Sequence, residues 1–438
     1  MSLAIRMRVL TSLFALALAL PSLAQTVVFR DVNVISMTSP KVEKKTVVVS
    51  DGKIGSILNA GAMVKLPDGA TVIDGSGKYL IPGLAEMHGH IPPSGGPPGL
   101  LSDVLTMYLA NGITTVRGML GHPQQLTLRE NAKKDLVFSP NLYLAGPAFN
   151  DQNIASPKQA ADKVREQKDE GWDLVKVHEG LTMEEYDAMA KTAKEVGMRF
   201  GGHVPDAVGL VHAIEMGQET FDHMDGYIEY LEGDKAPVNE KKLAAIVKKS
   251  KAAGVWIVPT SALWAVLYNG IPLETLKAYP ELKYVPEGAV ATWVKLYEGR
   301  AKDTSAAASK NVLANRKRIL RALHEGGVKI LMGTDSPQQF SLPGFSLQRE
   351  LQFMRDAGMS PYEILKSGTV NPGQYFSKQD SFGTIETGKR ADLVLLKANP
   401  LTDIRNVSKI EGVMVRGKWY SRTDLDERLF KIEEKYVR

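Results

Sequence analysis

Six residues stand out for the chemistry their types allow. His88 and His90 flank one glycine in Glu86-Met87-His88-Gly89-His90. Residues two apart on a strand share a face, so both imidazoles can reach one metal ion. Taken alone, the pair reads more simply as two hydrogen-bonded histidines in a loop. Three further segments change the balance. Phe200-Gly201-Gly202-His203 and Thr220-Phe221-Asp222-His223 each end a candidate strand in histidine, and Lys329-Ile330-Leu331-Met332-Gly333-Thr334-Asp335 ends one in aspartate. Singly, His203 reads as a core histidine and Asp335 as a helix cap. Together, four histidines and an aspartate at four strand ends are hard to account for as packing.

Lys176 is the sixth. It interrupts the apolar run Leu174-Val175-Lys176-Val177-His178. Strands of a parallel sheet are covered on both faces, and a buried ammonium is costly unless it is paired or neutralised. A carbamate formed with carbon dioxide turns the lysine into an anion able to bridge two metal ions. The alternatives are an ion pair with Asp173 or Glu179, or a contact to substrate.

These groups need elements that converge. From residue 83 to 382 the chain alternates strand and helix. Candidate strands cover Leu84–His90, Ile113–Arg117, Leu142–Ala145, Leu174–His178, Arg199–His203, Glu219–His223, Val255–Thr260 and Val328–Thr334. Helical spacing lies between most of them, as over Thr182–Val196 and Leu243–Ala253. Eight such units predict an α/β fold, a (β/α)8 TIM-type barrel whose strand ends meet at one mouth. Between the last two strands lies an aromatic segment holding Trp264, Tyr268, Tyr279, Tyr284, Trp293 and Tyr297, readable as a lid or as packing. Residues 25–82 and 383–421 carry β-branched runs and turn dipeptides such as Asp51-Gly52. Neither end has enough strands to bury a core alone, which predicts a small β-sandwich built from both. Residues 422–438 have helical spacing. Residues 1–24 read as a cleaved signal peptide: Arg6 and Arg8, an apolar run from Val9 to Leu20, then Pro21-Ser22-Leu23-Ala24 before Gln25. The mature protein is expected in a periplasm or outside the cell, with no lasting membrane anchor.

The 438 residues include eight histidines and no cysteine. Disulfide scaffolds, iron–sulfur clusters and thiol nucleophiles are therefore excluded. A net charge of +5 without a dense basic run gives no sign of nucleic-acid binding. Gly383-x-x-x-x-Gly388-Lys389 imitates a phosphate loop, but Arg390 stands where Ser or Thr should hold magnesium, and a strand follows. Asn406-Val407-Ser408 matches a glycosylation acceptor, which carries little weight behind a bacterial-looking leader.

The set His88-x-His90, Lys176, His203, His223 and Asp335 resembles the amidohydrolase superfamily. So do Ile81-Pro82-Gly83-Leu84, Asn111-Gly112-Ile113-Thr114-Thr115-Val116-Arg117, Gly333-Thr334-Asp335-Ser336-Pro337 and the closing run Gly383 to Val394. The resemblance is nearest to the imidazolonepropionase-like and Xaa-Pro dipeptidase-like branch, and Lys176 favours its binuclear, peptidase-like members. It implies two divalent cations, zinc being the first expectation. His88 and His90 would hold the deeper one, and His203 and His223 the more exposed one. The Lys176 carbamate would bridge them. Asp335 would ligate the first and move the proton. Hydroxide drawn from water would attack the carbonyl of a small amide, a dipeptide (Xaa-Pro-like) or an N-acyl amino acid. Tyr227 would donate to the oxyanion, with His178, His122 and Arg117 as further pocket residues. Members often carry a substrate-contacting histidine in the loop after the third strand, and residues 146–157 hold none. Cyclic amides, lactones and phosphotriesters would suit the same attack. A glycosidase barrel lacks a second facing acid, since the seventh strand ends Ile257-Val258-Pro259-Thr260. A purely metal-binding barrel has no use for Asp335 as a proton carrier. Homo-oligomerisation is left open.

Overall fold

The computed structural model describes residues 26–93, 95–303 and 305–436. The expected leader at 1–24 lies outside them. Among the described residues no helix is long and apolar enough to cross a membrane.

Five strands form the amino-terminal part: β1 (Val27–Val34), β2 (Glu43–Ser50), β3 (Lys53–Asn59), β4 (Thr71–Asp74) and β5 (Tyr79–Pro82). Asp51 and Gly52 both take positive φ, 52° and 72°. That is the twist a two-residue hairpin between β2 and β3 requires. Eight strands follow in the alternating region: β6 (Leu84–Gly89), β7 (Ile113–Gly118), β8 (Asn141–Leu144), β9 (Leu174–Val177), β10 (Arg199–Gly202), β11 (Thr220–Asp222), β12 (Trp256–Val258) and β13 (Lys329–Ile330). The last three are β14 (Leu393–Leu396), β15 (Ile410–Val415) and β16 (Lys418–Ser421).

The strands of the two chain ends meet in one mixed sheet, in the order β16-β15-β14-β5-β1-β2-β3, with β4 pairing on β1. The join is antiparallel between β5 and β14, Pro82 opposite Leu393 and Tyr79 opposite Leu396. A buried cluster including Phe29, Val47, Leu80, Leu393 and Met414 packs along it.

The eight middle strands form two parallel arcs, β6-β7-β8 and β9 to β13. Main-chain bonds cross both gaps. Asp173 donates to Leu144 and Phe149 to Lys176 on one side, and Met87 donates to Met332 on the other. Every residue of β6, β7, β9 and β11 is buried. Helices alternate with these strands where apolar residues recur at helical spacing, and capping residues start several of them. Thr182 caps Met183–Glu195 with a reciprocal bond to Glu185.

The strands are shorter than the sequence pattern suggests, and the difference has a reason. His90, His178, His203 and His223 lie just beyond the last paired residue of their strands. From Met332 onward the chain bonds Ser367 and Met87 instead of β12, so the eighth strand stops at Ile330. In the aromatic segment Tyr279, Trp293 and Tyr297 pack with one another around Leu276 and Phe340, while Trp264 turns toward His223.

The carboxyl-terminal helix Arg422–Tyr436 docks through Leu425, Leu429 and Ile432. Lys435 Nζ and Tyr436 Oη then hold the buried Asp103 at 2.5 and 3.0 Å. Leu425→Ala is expected to cost about 2–5 kcal/mol of stability, measured by equilibrium chemical unfolding. An unchanged unfolding curve would show that this helix does not brace the fold.

Candidate metal centre

The arcs bring five of the six singled-out residues into a chain of short contacts. His88 Nε2 lies 3.2 Å from Lys176 Nζ and 3.7 Å from Asp335 Oδ1. His90 Nε2 is 2.8 Å from the same Oδ1, and His223 Nε2 is 3.8 Å from Asp335 Oδ2. The sixth, His203, joins ring to ring, its centroid 4.6 Å from His223. His88, Lys176, His223 and Asp335 are buried, and His90 and His203 half-buried.

The histidines are held from behind. His88 Nδ1 bonds Asp222 at 2.8 Å, His203 Nδ1 bonds Asp225 at 2.5 Å, and His223 Nδ1 bonds Thr260 Oγ1 at 2.8 Å. A partner on Nδ1 fixes ring orientation and leaves Nε2 as the coordinating atom, as in metal sites with a carboxylate or hydroxyl behind each imidazole. His223 Nε2 and Asp335 Oδ1 are buried with no hydrogen bond. The His90–Asp335 approach is close without being aligned as a hydrogen bond. Groups of this kind, crowded and unsatisfied, fit a shared cation. His88, His90 and Asp335 form one candidate ligand group, and Glu179, His203 and Asp225 a second.

Electrostatics agree with neutral imidazoles. Burial, then the Lys176 charge, holds His88 well below its ordinary value. Burial, then His88, does the same to His223. Burial brings His203 to about 3 and His178 to about 4. Burial also lowers Lys176, against the pull of Asp222 and Asp335. Neither proposed ion-pair partner takes that lysine: Asp173 pairs with Arg129, and Glu179 approaches His203.

Two glycines make room. Gly202, at φ 130°, passes so close to β9 that a Cβ there would sit 2.4 Å from the Val177 carbonyl oxygen and 3.0 Å from Lys176 Cδ. A Cβ on Gly333 would sit 2.9 Å from the His88 nitrogen. Beneath them Glu86 accepts from the backbone of His88 and Thr334 and from the Thr334 hydroxyl, tying β6 to the Asp335 turn.

The expected pocket residues divide. His178 stands beside His203, ring centroids 4.4 Å apart. His122 lies in the loop after β7 with its N–H on Gln125, and shows no contact with the cluster among the described residues. Tyr227 is not at the site. Gly226 turns the chain at φ 78°, and the Tyr227 hydroxyl reaches Ser250 on the helix Glu240–Ala253 at 2.6 Å. It is buried in the core and cannot serve an oxyanion. Arg117 is not a substrate clamp either. It is fully buried, donates to both oxygens of Asp222 at 3.0 and 3.1 Å, and reaches the Met87 carbonyl. Asp222, Asp225, Thr260 and Glu86 are the functional residues that sequence reasoning passed over. Asp222 had one usable signal: an acid in an apolar strand needs a buried cation, and Arg117 is the inward candidate.

Comparison with known proteins follows this geometry. The amidohydrolase family model matches residues 79–420. The chain belongs to the amidohydrolase family. An imidazolonepropionase of Fusobacterium nucleatum subsp. nucleatum is 36% identical over 83 residues, 18% of this chain and 19% of that protein. An adenine deaminase of Ligilactobacillus salivarius is 22% identical over 380 residues, 85% of this chain and 54% of that protein. These matches thus span about a fifth and about half of the relatives' own lengths. Among solved structures, a Xaa-Pro dipeptidase with bound methionine superposes with a TM-score of 0.68 at 20% identity, covering 91% of this chain and 100% of that one. A bottromycin amidohydrolase gives 0.74 at 22%, covering 94% and 91%. At such identities the likeness is one of fold, TIM-barrel-like α/β. Members of the amidohydrolase family are metal-dependent hydrolases.

Asp222→Ala leaves the Arg117 guanidinium buried and unpaired, a loss of about 3–5 kcal/mol. The double variant Asp222→Leu/Arg117→Met is expected to regain part of that stability while zinc affinity stays reduced, because His88 still lacks its partner. Chemical unfolding and a zinc competition titration read the two effects separately. Full recovery of zinc affinity in the double variant would remove Asp222 from the centre.

Proposed function

We propose that this amidohydrolase is an exported, binuclear enzyme that cleaves the amide C–N bond of a dipeptide or N-acyl amino acid. In this reading the two parallel arcs close into a (β/α)8 barrel, and the mixed sheet forms the body of a sandwich built from residues 25–82 and 383–421. The observation that carries it is the convergence of buried His88, His223 and Asp335 with half-buried His90, two acceptor atoms left unsatisfied, beside a lysine with no carboxylate partner among the described residues.

His88, His90 and Asp335 would hold one cation, and His203 and His223 a second. Zinc suits nitrogen and oxygen donors of this kind. When bound, divalent cations make water acidic enough to yield a nucleophile near neutral pH and polarise a carbonyl. The remaining work falls to the chain. Lys176, with its ammonium disfavoured by burial, reacts as the free amine with carbon dioxide; its nitrogen bonds the carbon and releases one proton. The resulting carbamate supplies the anion that neither Asp173 nor Glu179 provides. Asp335 takes the proton from the attacking water and returns it to the leaving nitrogen, which departs as an amine. Asp222, Asp225 and Thr260 keep the imidazoles turned inward throughout. His178, half-buried beside His203, would contact the substrate.

Zinc-loaded protein is expected to hydrolyse members of a panel of N-acyl amino acids and Xaa-Pro dipeptides, and chelator to abolish this. Asp335→Asn should lower kcat about 10²–10⁴-fold while much of the metal is retained. Lys176→Ala should be inactive and partly rescued by short carboxylic acids. No turnover of any amide sinks the reading; products of lactone or phosphotriester cleavage would move it to those substrates. Full activity of Lys176→Ala would refute the carbamate.

Export makes a separate prediction. Amino-terminal sequencing of protein recovered from the periplasm or medium should begin at Gln25. A mature protein that keeps residues 1–24 contradicts it.

A further inference from the structure

Arg316 lies outside the ligand set, on the helix Ala306–Glu325, and is 5% exposed. A guanidinium so deep is ordinarily found against a carboxylate. Arg316 instead gives Nη2 to two main-chain carbonyls, His223 at 2.5 Å and Pro259 at 3.2 Å. Its Nε finds no partner. Asp225, Glu229 and Glu350 are the nearby carboxyl groups, at longer range, and burial raises all three, Asp225 and Glu350 to about 7. Its planar face lies over the Trp264 ring, 4.5 Å from the centroid, and that ring stands edge-on to His223.

The two carbonyls mark unusual backbone. His223 and Met224 have φ of 63° and 57° at the end of β11, and Thr260 has φ of 44° just past β12. None is glycine, and side-chain-bearing residues keep such angles only where their surroundings enforce them. These same turns present His223 and the Thr260 hydroxyl that holds its ring. Glu350 adds a bond to the Ala262 N–H, fixing the start of the helix Ser261–Leu267 that carries Trp264. One cation thus ties the ends of two neighbouring strands at the point where one of them offers a metal ligand.

We propose that Arg316 is a positioning residue: a guanidinium clamp across the His223 and Pro259 carbonyls that sets His223 Nε2 toward the metal centre. The inference rests on the metal-centre reading above, so its test measures zinc binding and not turnover. Apo protein is titrated with zinc against a competing chelator for the wild type, Arg316→Met and Arg316→Lys. Arg199→Met serves as the control. Arg199 stacks on Tyr375 and pairs with Glu219 at the opposite ends of the strands. Thermal unfolding of each apo protein is recorded in parallel.

Loss of a supporting bond behind a ligand typically weakens metal binding about 10–100-fold. Arg316→Met is expected to fall in that range, and millimolar guanidinium to restore part of the affinity by refilling the cavity. Arg199→Met should lose melting temperature but keep wild-type zinc affinity. The Arg316→Lys ammonium falls one bond short of the Nη2 position and is expected to lose several-fold; it carries the test if Arg316→Met does not fold. Wild-type affinity in both Arg316 variants overturns the clamp and leaves the metal centre standing. A wild type that takes up no zinc overturns the metal centre itself.

Discussion

The buried pairing of Arg117 with Asp222 is the constraint on which the centre depends. Arg117 comes from β7 and Asp222 from β11, and the two arcs are thereby joined through their interior. The pair is fully buried, where desolvation is severe and only good geometry offsets it. The second carboxylate oxygen is shared with His88 Nδ1, so the ion pair is also the support of a ligand. Arg117 reaches onward to the Met87 carbonyl, one residue before that histidine. Strand β6 is therefore held by its side chain and its main chain from one source. Displacing either charged group would loosen His88 without altering any candidate ligand.

Around that anchor the centre follows one scheme. Each inner histidine gives one nitrogen to the protein and keeps the other for the middle of the site. Burial keeps those imidazoles uncharged, which preserves the lone pair that coordination needs. Asp222 and Asp225 stand behind the rings as hydrogen-bond partners, burial raising the Asp225 carboxyl to about 7, and the Lys176 side chain enters where Gly202 leaves space. The polar groups are many and the solvent access small. Such a site is stable only if its members satisfy one another or a bound ion, and the open valences of His223 and Asp335 fall on the side of the ion.

Much of this was legible in the residues. Strand-end histidines and an aspartate at four separated places point to one mouth because a parallel α/β fold gathers strand ends, and Lys176 is conspicuous because its run is otherwise apolar. What was not legible depends on partners far away in the chain. Asp222 reads as an ordinary acid next to His223 until Arg117, 105 residues earlier, is found opposite. Thr260 and Asp225 gain meaning only through the ring nitrogens they hold. Closeness in sequence to His223 suggests closeness in space for Tyr227, but left-handed backbone at Met224 and Gly226 sends its hydroxyl to Ser250 on the helix Glu240–Ala253. Arg117 misled in the opposite sense: an inward arginine at a strand end suggests an anionic substrate, but its anion is internal. The strand lengths were overestimated because the apolar pattern runs on past the last ladder bond.

The junction of β5 with β14 bears on how the protein is made. Pro82 and Leu393, partners across that junction, are separated by the whole alternating region. A folding chain can form β1, β2 and β3 early, since their pairings are local. The free edge of β5 then waits, its main-chain donors and acceptors open, until β14 docks. Open sheet edges invite pairing with other chains. Strand β14 is thus a closing stitch: a chain that folds without it keeps every candidate ligand and an adhesive edge.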